Sequence, residues 1–93
     1  MKNKMLTVQD LSQMNFTDIE VHSDKFRRTI RKVNLRKAMK LGNIYKRKVF
    51  IYFKTFEGVL KKIEVSVWAV GEEFVSLKAG CTIPIRSIDH IEF

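Results

Sequence analysis

The chain has 93 residues, enough for one small domain with a modest core. Its 45% hydrophobic and 30% charged residues exclude wholesale disorder, and its apolar runs fall far short of the about 20 residues that span a bilayer. The single cysteine excludes an intrachain disulfide, and the first residues, MKNKMLTVQDLSQM, lack the continuous apolar segment of a secretory signal. We therefore expect a cytoplasmic protein.

Residues 1–45 predict an N-terminal helical and basic segment. Thr7 followed by Asp10 is typical of a helix start. Ser23 or Asp24 favours the start of a second helix, because both side chains can accept a backbone hydrogen bond there. The second helix would turn an apolar stripe toward the core and its basic residues away from it; the stripe consists of Phe26, Ile30 and Val33.

The rest of this segment leaves alternatives open. A strand through residues 29–35 is one of them, since Thr, Ile and Val favour strands. Asn34 favours a further short helix, with Gly42 just past its end in the left-handed closing position. No linker-like composition separates these pieces. We therefore expect a single domain in which residues 1–45 pack on a β-structure formed by residues 46–93.

Residues 46–70 alternate apolar and polar side chains on both sides of a turn, the pattern of a half-buried β-hairpin. A three-residue loop at 56–58 aligns apolar with apolar positions, whereas a two-residue loop would mix the two faces. Gly58 then supplies the left-handed position of a type I turn with a bulge. The predicted pairs are Val49 with Val65 and Ile51 with Ile63.

Two further glycine-containing loops continue the sheet. The loop at 71–73 pairs Val67 with Leu77 and Ala69 with Val75, and the loop at 78–80 pairs Val75 with Ile83. A short turn at 86–88 precedes a last strand over 89–93. The predicted core residues of the sheet are Val49, Ile51, Ile63, Val65, Val67, Val75, Leu77 and Ile83.

This order of elements predicts an α+β or mainly β fold, a small five-stranded, bent antiparallel sheet or barrel with an N-terminal helical segment. Over residues 35–93 it resembles the SH3-like and Sm-like small barrels, and IPIRSIDHIEF is similar to their closing strand, turn and strand. The glycine–asparagine RNA-binding motif of true Sm proteins is missing. The strings LRKAMKLGN, VSVWAV, LKAG and IPIRSI also resemble a group of small uncharacterised Bacteroidetes-type bacterial proteins, which implies no activity.

The strongest functional signal is a basic segment. Residues 25–48 contain eleven lysines and arginines and no acid, so they carry more than the whole net charge of +8. Such a surface favours binding to a nucleic-acid backbone, with RNA slightly ahead of DNA. We expect the cations to lie on a polar face, so that their replacement by Glu leaves the fold intact. The predicted contacts are Arg27, Arg28, Arg31, Lys32, Arg36 and Lys37.

A second signal is that three aromatic residues occupy strand positions predicted to face away from the core. Phe50, Tyr52 and Trp68 point away from the predicted core, among lysines that include Lys46 and Lys48. Rings interleaved with cations can stack on bases, but we expect the N-terminal helices to cover them. The alternative function is a protein-interaction or assembly module, with a protein partner or a second copy bound to this face or to a sheet edge.

Enzymatic and metal chemistry are not indicated. Cys81 is expected to be a small buried residue, and nothing positions it with His90 as a nucleophile and base. His22 and His90 lack metal-site spacing, and no motif indicates a cofactor or a small-molecule substrate. Binding to a membrane is disfavoured, because the basic segment lacks Trp and a broad apolar face.

Overall fold

The computed structural model describes residues 6–93 and has an α+β architecture, as predicted. Its six strands form two antiparallel sheets of three strands each, with the orders β2-β1-β6 and β3-β4-β5. The elements are α1 (Val8–Leu11), α2 (Lys25–Tyr45), β1 (Val49–Lys54), β2 (Leu60–Val65), β3 (Val67–Val70), β4 (Phe74–Leu77), β5 (Thr82–Pro84), a 3₁₀ turn (Ile85–Ser87) and β6 (Ile88–Glu92). The first five residues of the predicted 1–45 segment lie outside the described residues.

The predicted five-stranded sheet is wrong, and residues 6–93 do not form a closed barrel. The long second strand of the hairpin divides at Ser66, whose carbonyl oxygen accepts the backbone N–H of Lys78 at 3.1 Å. The chain therefore passes from one sheet to the other at this residue, and one predicted strand becomes β2 and β3. After the 3₁₀ turn, β6 pairs with β1 and not with β5.

The predicted hairpin register is confirmed. Val49 pairs with Val65 and Ile51 with Ile63. The loop closes through the N–H of Gly58, which donates to Thr55 O at 2.9 Å. Gly58 has φ +84°, a conformation in which a Cβ atom would be strained.

The predicted registers of β3 with β4 and of β4 with β5 are confirmed in part. Val67 pairs with Leu77, and Val75 pairs with Ile83, as predicted. The predicted pairing of Ala69 with Val75 is wrong, because a bulge between Val67 and Ala69 shifts the register so that Val75 pairs with Val70. Ala69 is consequently exposed.

All eight predicted core residues of the sheet are buried. Burial of a Val, Leu or Ile side chain stabilises a fold by about 1.5–3 kcal/mol, so this set accounts for much of the core. The structure adds side chains from β1, β6, the 3₁₀ turn and both helices: Leu11, Leu35, Ala38, Phe53, Ile85, Ile88 and Ile91.

The chain between α1 and α2 is tied to the β-structure. Thr7 and Asp10 form the reciprocal cap that their spacing predicts, and α1 is only one turn long. Between the helices, Thr17 O accepts the Nε–H of Arg86 at 2.9 Å, and the ring centroids of Phe16 and Phe53 are 5.3 Å apart. These contacts hold the chain that leads into α2.

α2 is a single helix of 21 residues, so the strand alternative and the separate short helix are both wrong. Asp24 caps its start by accepting the N–H of Phe26 at 3.0 Å, and Lys46 ends it in the left-handed conformation. Asn34 is an interior position. Gly42 is also inside the helix, where a Cβ atom would lie 2.6 Å from the carbonyl oxygen of Val67.

The helix face predicted to be buried is the exposed one. Phe26, Ile30 and Val33 lie in solvent, and the buried residues of α2 are Arg31, Leu35, Ala38 and Gly42. Both stripes fit a period of 3.6 residues, so periodicity could not decide between them. The small residues allow the helix backbone to approach β3 closely, and this approach decides which stripe is inside.

Candidate nucleic-acid interface

Most cations of the basic segment are exposed on α2 and on the residues that follow it. α2 is about 30 Å long, has no acidic residue and carries eight cations. Among the described residues, none of the fully exposed cations of the segment forms an ion pair with an acid. These exposed cations are Lys25, Arg27, Arg36, Lys37 and Lys40 on the helix, followed by Lys46, Arg47 and Lys48.

Arg31 is the member of the predicted contact set that the structure withdraws from the surface. It is only 6% exposed. Its Nη1 and Nη2 donate to the two carboxylate oxygens of Glu20 at 2.6 and 2.8 Å, and Nη1 also donates to Ile88 O at 3.0 Å. Its buried Nε has no hydrogen-bond partner among the described residues. Arg31 therefore joins α2 both to the chain that precedes the helix, at Glu20, and to β6, at Ile88.

The contact with Arg31 changes the pKa of the Glu20 carboxyl group. Partial burial of the group raises its pKa, but the hydrogen bond from Arg31, the N–H of His22 and the charges of Arg31 and Arg28 outweigh burial. The pKa of Glu20 is consequently lower than its ordinary value, so the carboxylate stays ionised in the fold.

Arg28 and Lys32 lie on one flank of α2 and are half-buried. Arg28 Nη1 donates to His22 O at 2.9 Å and to Ser23 O at 3.0 Å, which ties the chain ahead of the helix to its first turns. A shallow groove follows this flank and brings together four cations separated by three or four residues; it is lined by Lys25, Arg28, Thr29, Lys32, Val33 and Arg36.

The aromatic residues of the sequence-based prediction do not form one surface. Phe50 and Tyr52 are on β1 of one sheet, and Trp68 is on β3 of the other. The expected cover by helices is wrong for Trp68, which is 55% exposed. The α2 helix contacts the backbone of Val67 at Gly42, while the Trp68 side chain has the opposite parity on the strand.

The rings on β1 are already occupied by neighbouring side chains. Lys62 Nζ lies 4.4 Å from the centroid of the Phe50 ring, and Tyr52 stacks on His90 at 4.2 Å with 12° between the planes. Tyr52 Oη also donates to Glu92 at 3.0 Å. Phe50 pairs with Glu64 on β2 and with Glu92 on β6, so this face carries both positive and negative charges. It differs in this respect from α2, which has no acidic residue.

A cleft between the N-terminal half of α2 and β6 was not predicted. It has a volume of about 550 Å³ and is lined by His22, Asp24, Phe26, Arg27, Ile30, Arg31, Asn34, Asp89 and His90. The sequence contains both histidines and the basic residues, but no local pattern indicates that residue 90 lies beside residue 26. Only the pairing of β6 with β1 and the packing of α2 bring them together.

The structure offers no alternative chemical centre in the described part of the chain. Cys81 is half-buried, with its Sγ donating to Val8 O at 3.3 Å. Within residues 6–93, no group of His, Cys, Asp or Glu side chains is arranged to hold a metal ion. None of the helices in that range is long and apolar enough to cross a membrane.

Comparison with known proteins yields no assignment. No family model matches the chain, and neither a curated protein nor a solved structure is significantly similar to it. The function must therefore be argued from the exposed surface of α2 and the cleft beside it.

Proposed function

We propose that the protein binds nucleic acid without catalysis, through the outer surface of α2 and mainly by contacts to the phosphate backbone. The observation that supports this proposal is the row of exposed cations on one helix that have no acidic partner among residues 6–93. Cations that are paired with an acid would lose that partner on binding, whereas these exposed cations lose mainly water and counterions. Lys37 has one further contact, since its Nζ lies 4.6 Å from the centroid of the Phe93 ring.

The proposed contact set differs from the six cations predicted from the sequence by one omission and five additions. Arg31 is omitted, because its guanidinium is committed to Glu20 and Ile88. Lys25 and Lys40 are added, because they are exposed on the same helix, and the three exposed cations that directly follow the helix are added as well. The full set is Lys25, Arg27, Arg28, Lys32, Arg36, Lys37, Lys40, Lys46, Arg47 and Lys48. Backbone contacts of this kind position a protein on its ligand but carry no base information.

The test is a titration of labelled single-stranded and duplex oligonucleotides at several salt concentrations, followed by fluorescence anisotropy. If about five phosphates are neutralised, the logarithm of the binding constant falls against the logarithm of salt with a slope of about −4 to −5 for duplex and about −3 to −4 for single strands. No binding to RNA or DNA at about 50 mM salt, where such contacts are strong, would contradict the proposal.

A second candidate function has an observation of its own. The exposed face of α2 carries large apolar side chains at Phe26, Ile30, Val33 and Ile44, and Lys37 and Lys40 continue the same stripe at intervals of three and four residues. A partner helix with an apolar stripe and acidic flanks would fit this face. Association that persists at high salt, without nucleic acid, would favour this protein-interaction module.

A further inference from the structure

We infer that the nucleic acid is single-stranded and that the cleft between α2 and β6 takes one unpaired base. This inference rests on the proposed function and specifies its ligand. The cleft lies beside the basic surface, and Arg27 belongs to both. A strand whose phosphates follow α2 therefore passes the mouth of the cleft.

The size and lining of the cleft suit a nucleobase with its sugar. Its volume of about 550 Å³ is within the range of about 300–1,000 Å³ that is usual for sites of small organic ligands. Phe26 and Ile30 supply apolar contact on the helix side. Arg27, Asn34 and Asp89 supply donors and acceptors that can reach the edge of a base. Such a mixture of an apolar wall and a few polar groups is typical of a specific binding site.

Two rings border the cleft and are available for stacking. The Phe26 residue is 68% exposed. His90 is held flat by its stack on Tyr52 and by its Nδ1–H, which donates to Asp89 Oδ2 at 2.7 Å. The His90 side chain nevertheless remains 52% exposed. A ring that is already oriented loses little conformational freedom when a base stacks on it.

The exposed apolar residues of α2 that line the cleft distinguish a single strand from a duplex. The backbone of a duplex presents charged phosphates, which give Phe26 and Ile30 no apolar partner, and its bases are stacked and paired. An unpaired strand presents the faces of its bases, and protein aromatic residues stack on these faces in most sequence-tolerant single-strand sites. The observed mixture of cations and apolar side chains therefore favours the single strand.

The experiment compares an oligouridylate of about 12 nucleotides with an RNA duplex that has the same number of phosphates. We expect the single strand to bind more tightly at equal salt, despite its lower charge density. Replacement Phe26→Ala should weaken single-strand binding about tenfold and leave duplex binding unchanged. Phe26→Tyr should retain the wild-type affinity, and Phe26→Leu should not, because stacking requires a ring.

The matched control is Ile44→Ala, an equally exposed apolar residue on the same helix but outside the cleft, which should leave the single-strand affinity unchanged. Circular dichroism verifies that each variant is folded. Equal binding of the two ligands, or an unchanged affinity of Phe26→Ala, would overturn the inference and leave the proposed function standing. Absence of binding to both RNA ligands and to the corresponding DNA oligonucleotides would overturn the inference and the proposed function together. Salt-insensitive protein association that Phe26→Ala abolishes would assign this residue to a protein partner, and this too would overturn the inference.

Discussion

Arg31 and Glu20 form a two-pronged ion pair, with Nη1–Oε2 and Nη2–Oε1 distances of 2.6 and 2.8 Å. Arg31 is the one buried charged residue of α2, and its pair with Glu20 joins the helix to the chain that precedes it. The basic segment thus has two roles, since Arg31 and the half-buried Arg28 hold the fold while eight other cations are exposed. The sequence-based expectation that Arg31 lies on a polar surface is wrong, since it is buried. We now expect its replacement by Glu to destabilise the fold, because a second carboxylate would lie against Glu20.

Replacement Glu20→Gln should destabilise the protein by about 1–3 kcal/mol at neutral pH. The reason is that the buried guanidinium loses the charge of its partner but keeps its desolvation cost. Urea unfolding measures the change. The control is Asp18→Asn, since Asp18 is exposed and 3.9 Å from Arg86, and this variant should stay within about 0.5 kcal/mol of the wild type. Equal effects of the two variants would contradict a structural role for the Glu20 carboxylate.

The contribution of Glu20 should depend on pH in one direction. Its pKa is lower in the folded than in the unfolded chain, where the ordinary value is 4.5, so its ionisation stabilises the fold above that value. This stabilisation is lost as the pH falls through the lowered folded pKa. The difference in unfolding free energy between wild type and Glu20→Gln should therefore shrink between neutral pH and about pH 3. A difference that stays constant over this range would contradict the assigned shift.

Replacement Gly42→Ala should destabilise the protein by about 1–3 kcal/mol, although helix propensity favours Ala by about 1 kcal/mol. The added Cβ atom would meet the carbonyl oxygen of Val67 at 2.6 Å, and neither backbone can move without disturbing the core. Thermal unfolding measures the effect. Ile44→Ala, two residues further along the same helix, is exposed and should change stability by less than about 0.5 kcal/mol. A stabilised Gly42→Ala variant would contradict the close approach of the α2 backbone to the backbone of Val67.

Charge reversal on the outer surface of α2 should weaken nucleic-acid binding and preserve the fold. The triple variant Lys25→Glu, Arg36→Glu and Lys40→Glu lowers the net charge from +8 to +2. The slope of the salt dependence on duplex should flatten by about 2 to 3, the number expected for three lost phosphate contacts. Stability should be maintained, since these residues are exposed and repulsion among the helix cations is relieved.

The matched control for that variant reverses three lysines outside the basic segment, two on strands and one in the turn after β4, to the same net charge of +2: Lys54→Glu, Lys61→Glu and Lys78→Glu. The salt slope of this control should stay near that of the wild type. If both triple variants lose binding equally, the overall charge governs the interaction and the α2 surface does not.

Trp68 should report an exposed environment in the free protein. It is the only tryptophan, so its emission should be red-shifted and readily quenched by acrylamide. Trp68→Ala should cost about 1 kcal/mol, well below the about 3–5 kcal/mol typical of a buried aromatic residue. A blue-shifted emission that resists quenching would show that the ring is covered in solution.

The strand registers are the part of the fold that could be predicted from the sequence. Alternation with a period of two specifies which strand residues face the core, and glycine-containing loops limit the pairing of neighbouring strands. Val49, Ile51 and Ile63 were assigned correctly on these local grounds. The division at Ser66 and the bulge after Val67 escaped prediction, because both depend on which sheet each half of the strand joins.

The sequence by itself determined that one segment is basic, but only the tertiary structure decided which of its side chains face solvent. A helix with two apolar stripes can bury either one, and helical periodicity is the same for both. Packing on β3 selects the stripe that contains Ala38 and Gly42, because small residues let the two backbones approach. This packing buries Arg31, exposes Phe26 and forms the cleft beside His90. All three depend on contacts between residues far apart in the sequence, so no local pattern of residues could predict them.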